Sequence, residues 1–353
     1  METKHIGFGE ALSMLIILTL SHLILTLPKS LLESQGSGII LNIVYISFLA
    51  FCIVFILSKL YKNFYGKDIL DISEFLFGKV FKFIVGVTFI LYFLFVASLL
   101  IRSSSENLKT MYFQNTSIPF LAFFILACAS FINKLGSNVV IKCNLIIVPL
   151  IVMLLTILFL LSSNNFNTHR FFPFLGYGAK NIFLNGAANL HAFGCIVYLL
   201  FIMPFLKSYN QFNKISYLGI GLSALFIMLT SIALLLMFPL SIASGSNVPI
   251  YMQTRELTVG NLVQRADAFF VIIWILTLLS YLSIIINFII IIFRKITNIQ
   301  FRFSIVNCFL AILFGISLLY NNIIQVKYFQ ANVYKNCFLI LVLRCKLFNY
   351  NTC

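Results

Sequence analysis

The sequence predicts an all-α polytopic membrane protein, and three observations carry that reading. Mean hydropathy is +1.05 and 61% of the 353 residues are hydrophobic, which leaves too little polar surface to cover a soluble globule. Only 9% of residues are charged, and they gather in short gaps between apolar runs. Runs such as Ile39–Ser58 and Ala268–Phe293 hold no charge and are long enough to cross ~30 Å of hydrocarbon at ~1.5 Å per helical residue. A net charge of +15 would suit a nucleic-acid partner if it formed one patch. The Lys and Arg are instead dispersed among the gaps, which favours contact with the lipid bilayer and argues against nucleic acid.

The elements follow in order. A short polar start leads to a first span, Ala11–Leu27, whose apolar face is interrupted by Ser21, His22 and Thr26. Polar groups inside a span face protein or a water-filled space, or bond back to their own helix. After the second span, Ile39–Ser58, residues 59–82 mix five lysines with Asp68, Asp71 and Glu74; Leu70, Phe75, Leu76 and Val80 recur there at helical spacing, as in an amphipathic interfacial helix. The third span, Phe83–Ile101, continues as a helix through Arg102 and Glu106, four apart on one face. Ser117–Asn133 and Cys143–Leu161 are the fourth and fifth. The sixth, Asn181–Leu206, opens with Asn185, Gly186, Asn189, His191 and Gly194, a composition that weakens a helix and predicts a break. Ser216–Leu240 is the seventh span, and Ala268–Phe293 the eighth, with Thr277 and Tyr281 on one face. Phe303–Tyr320 is the ninth, and the uncharged run Asn336–Leu343 is too short to cross. The fold is thus read as nine clear spans and a doubtful tenth. An N-terminus in the cytoplasm places thirteen of the Lys and Arg inside and seven outside, the direction the positive-inside rule requires.

The densest polar segment is Pro249–Trp274, which carries Arg255, Glu256, Arg265 and Asp267 into the eighth span. As a juxtamembrane anchor it would hold Arg265 and Asp267 at the headgroups and Trp274 near the interface. Its pattern, with Pro249, Arg255, Gly260, Arg265, Asp267 and Trp274, resembles the endospore germination permease family, the B subunits of nutrient germinant receptors within the amino acid, polyamine and organocation transporter superfamily. SHLILTLPKSL around Pro28 and FGCIVYLLFIMPFL around Pro204 extend the resemblance, which covers a domain of residues 1–320 and leaves 321–353 as a divergent or truncated tail. It implies two inverted five-helix repeats with broken helices one and six, an amino acid permease or LeuT-like layout that the polar interruptions of the first and sixth spans would fit. It also implies a ligand site at His22, Leu23 and Ile24 in the first break, Phe193 and Gly194 in the second, Tyr92 in the third span, and Thr277 and Tyr281 in the eighth. Half-helix N-termini would meet a carboxylate, and carbonyl ends and hydroxyls an ammonium. Thr277 and Tyr281 have an alternative role as bonds between neighbouring helices.

In the first break the chain lacks the family's glycines, and Cys195 stands where an acidic residue is expected. The nine acidic residues lie at or beyond span ends, and no nucleophilic triad or metal-ligand spacing occurs, so neither an enzyme, a cofactor nor a metal is expected. Buried carboxylates for proton coupling are missing as well, leaving His22 and His191. The resemblance therefore implies a germinant-sensing membrane subunit. It would bind an amino-acid-like nutrient in the inner membrane of a spore, beside a large membrane subunit and a lipoprotein subunit. A secondary amino acid transporter is the alternative.

Overall fold

Every regular element among the described residues is helical in the computed structural model, which describes residues 5–25, 27–245, 248–256, 266–300, 303–334 and 336–338. The chain begins with α1 (Phe8–Leu25) and α2 (Leu27–Gln35). Pro28 lies in the first turn of α2, where its missing amide costs least. The discontinuity was expected at His22–Ile24. Those residues instead form the last turn of α1, and Thr26 lies outside the described residues.

After α3 (Ile39–Asn63), Asp68 caps α4 (Ile69–Met111) by accepting from the amides of Leu70 and Asp71, while the Asp71 carboxylate accepts from the Asp68 amide. Gly78, at φ 84°, breaks α4 between its first two turns and the long apolar part. The first part is the amphipathic helix expected from residues 70–80, with a different inner face. Ile69, Leu70, Ile72 and Ser73 are buried, while Phe75 and Val80 point outward. Lys295, near the end of α12 (Ala266–Thr297), reaches both caps at 2.6 Å from Asp68 and 2.7 Å from Asp71. That pins the end of α12 to the start of α4.

α5 (Ile118–Lys134) and α6 (Ser137–Ser162) follow. Next come α7 (Ala179–Phe183), a 3-10 segment (Asn185–Phe193) and α8 (Cys195–Ile202), which together bend by 49° at Gly194. The bend falls where the glycine and amide-rich sequence predicts it. Then come α9 (Tyr209–Met237), α10 (Leu240–Gly245), α11 (Pro249–Glu256), α12, α13 (Phe303–Leu318) and α14 (Ile323–Tyr328), which runs into a π-helical turn (Phe329–Tyr334). Among the described residues, five helices are long and apolar enough to cross a membrane, six if the bent pair counts as one, and three further apolar helices are shorter.

α1 lies at the centre, packed on α6, α9 and α12, while α12 also packs on α4 and α5. Large side chains including Trp274, Tyr61, Phe93, Phe193, Phe201 and Tyr281 fill this interior. Phe48, Phe124, Phe131 and Ile146 face outward instead, as expected of surface in contact with lipid. Trp274, expected near the membrane interface, is packed within the protein core, its side chain 1% exposed.

Candidate functional site

Five elements converge on one aromatic cluster. His22, in the last turn of α1, bonds through Nε2 to the Tyr281 hydroxyl of α12 at 2.8 Å, with the rings edge to face. Tyr334, from the π-helical turn, stacks against His22 on one side and against Tyr92 of α4 on another, with centroids 6.1 and 6.3 Å apart. His191, from the 3-10 segment, meets Tyr334 edge-on at 5.4 Å and has Nδ1 2.9 Å from its own segment's Ala188 carbonyl. Gly194 completes the cluster. A Cβ there would lie 2.8 Å from the Tyr334 hydroxyl, so the close approach needs glycine.

The remaining expected residues sit around this cluster rather than in it. Leu23, Ile24 and Phe193 are fully buried in apolar packing. The Thr277 hydroxyl donates to the Ile273 carbonyl one turn back on its own helix at 2.7 Å, while the Thr277 carbonyl accepts from Ser21 of α1 at 3.4 Å. Thr277 thus ties α12 to α1. An amide relay holds the 3-10 segment to α2 and α3: Asn189 donates to Asn42 of α3 and to Ser34 of α2, and Asn42 donates to the Ile182 carbonyl. A Cβ on Gly186 would run into the Asn42 amide.

A cavity of about 90 Å³ opens beside the cluster, well above the ~10–15 Å³ that admits one water. His22, His191 and Tyr334 line one end, Val96, Leu99 and Leu100 a wall, and Lys29, Ser30, Glu33, Lys327 and Gln330 the other end. His22 alone among the eight residues expected from the sequence lines it. Sequence reasoning missed Tyr334, Lys327 and Gln330, which lie past the resemblance, and gave Lys29 no part in the site.

The polar segment before α12 is inserted into protein. Pro249, Ile250, Gln253 and Thr254 are buried, and Gln253 donates to Ser162 at 2.7 Å. Asp267 accepts from the hydroxyls of Tyr112 and Tyr251 at 3.3 and 3.5 Å, and Arg255 lies over the Tyr251 ring. Gly260 and Arg265 lie outside the described residues.

The family model described as spore germination protein matches residues 5–326, nearly the whole chain. The chain belongs to the spore germination protein family. Three Bacillus subtilis (strain 168) relatives agree. Spore germination protein B2 is 24% identical over 77% of this chain and 75% of its own length. Spore germination protein YndE is 21% identical over 79% and 77%, and spore germination protein KB 20% identical over 77% and 73%. Among solved structures, a substrate-bound, outward-open Na+-coupled sialic acid symporter superposes with a TM-score of 0.64 at 12% identity, covering 95% of this chain and 75% of that one. This germination-family member is therefore an integral membrane protein with a transporter-like helical fold.

Proposed function

We propose that the chain is the nutrient-binding membrane subunit of a spore germinant receptor. A small amino-acid-like nutrient binds between the discontinuities of the first and sixth spans and shifts a conformational equilibrium that is passed to a large membrane subunit and a lipoprotein subunit in the inner spore membrane. The observation that carries this reading is the cavity whose walls come from α1, α2, α4, the 3-10 segment and α14, so that an occupant touches every element that a conformational change would move. His22 lines its inner end, with Tyr92, Gly194 and Tyr281 in the cluster behind it and Leu23, Ile24, Phe193 and Thr277 packed around them. The nine-span, two-repeat layout with a cytoplasmic N-terminus belongs to the same proposal.

The transporter reading is favoured by one observation, the likeness to a symporter fold, and fold alone does not carry function. Labelled amino acids and proteoliposomes containing the full chain separate the two. Saturable binding without net uptake is expected of a receptor; concentrative uptake driven by an ion gradient would replace this reading with a transporter.

A further inference from the structure

The charges around the cavity are unequal. Lys29 and Lys327 both line it, from α2 and α14, and Glu33 is the single acidic side chain among its lining residues. Counting the histidines as neutral, the lining holds one net positive charge. Lys29 is 5% exposed, and its Nζ lies 3.3 Å from the Gly245 carbonyl and 3.8 Å from Glu33, whose carboxylate is half-exposed to solvent. Two ammonium groups around one small space of low dielectric repel each other, and an anion placed between them relieves both that repulsion and their desolvation. Gln330, one turn beyond Lys327, adds an amide donor to the same end. Tyr334 follows Lys327 by seven residues, about 10 Å along a helix, so the cationic end stands apart from the aromatic end.

Resting on the proposed nutrient site, we infer that its ligand is a small molecule of net negative charge, with an acidic group held between Lys29 and Lys327 and the remainder toward His22 and Tyr334. An acidic amino acid fits this description; a neutral or basic one does not exploit the lysines. The probes are glutamate, glutamine, lysine and glutarate. Their binding is measured by calorimetry on the full chain in nanodiscs of uncharged phosphatidylcholine. Glutamate should bind at least about tenfold more tightly than its isostere glutamine, and lysine more weakly than either. Lys29→Gln and Lys327→Gln should each cut the glutamate-to-glutamine ratio about tenfold, and the ratio is immune to a general loss of folded protein. Glutarate binding at glutamate strength assigns the site to organic acids of the same charge and supports the inference.

Glutamine binding as well as glutamate would overturn it and leave the nutrient site standing. Binding by none of the four probes would overturn both. Loss of glutamate binding on adding an anionic phospholipid to the disc would overturn it in favour of a lipid headgroup between the lysines.

Discussion

At the scale of single residues, the structure separates two hydroxyls that the sequence treats alike. Tyr281 holds the His22 ring, and His22 lines the cavity, so Tyr281→Phe leaves an imidazole nitrogen without its 2.8 Å partner. A lost buried bond of this kind costs about 1–3 kcal/mol. Tyr281→Phe should therefore lower the thermal midpoint in detergent and raise the half-maximal nutrient concentration severalfold in a germination assay. Thr277 commits its hydroxyl to the Ile273 carbonyl and lies off the cavity. Thr277→Val keeps the shape and removes a bond to a carbonyl that its own helix already serves. Its dose-response curve should overlay the wild type at equal protein level, and a rightward shift would place the hydroxyl against the ligand instead. A third substitution tests the close packing at the bend. Gly194→Ala sets a methyl group 2.8 Å from the Tyr334 hydroxyl, and overpacking of this sort costs about 1–3 kcal/mol. Because the clash is with a hydroxyl, adding Tyr334→Phe should restore most of the midpoint lost in Gly194→Ala, and an additive further loss would show that the two residues are not in contact.

At the scale of elements, what was legible followed from backbone chemistry. Gly194 and the amide-rich run before it announce a bend that no surrounding packing removes. The break expected at His22–Ile24 was misjudged because those residues stay helical: Ser21 donates to the Ile17 carbonyl of its own helix, so its polarity does not unwind the backbone. The interfacial helix before Gly78 was legible from its spacing, but its inner face was not. Lys295, more than two hundred residues away, decides that face by pulling Asp68 and Asp71 against α12. Removing that cation leaves two carboxylates together, one of them 2% exposed, at a cost on the order of 3 kcal/mol. Lys295→Met should accordingly lower the thermal midpoint of the purified chain, and Asp68→Asn in the same background should recover part of the loss. If Lys295→Met alone is as stable as wild type, the triad is surface decoration and the α4–α12 junction is held by apolar packing.

At the scale of the whole molecule, membrane character was plain from composition, because hydropathy depends on residue type and not on arrangement. The cavity was not, since three of its polar residues, Lys327, Gln330 and Tyr334, come from a segment with no hydropathy signal of its own and are brought to the first span only by tertiary packing. Orientation lies between these cases. Lysines at 59–82 together with Lys207 and Lys214 mark one end of the spans, and Arg170, Lys180 and Arg255 the other. The positive-inside rule would put the first end, which holds the excess, in the cytoplasm. Two exposed lysines, Lys62 at the end of α3 and Lys180 in α7, report the two ends without touching the cavity. In a background with the native cysteines replaced by alanine, Lys180→Cys should react with a membrane-impermeant maleimide in right-side-out vesicles and Lys62→Cys only in inverted ones. The opposite pattern would invert the chain.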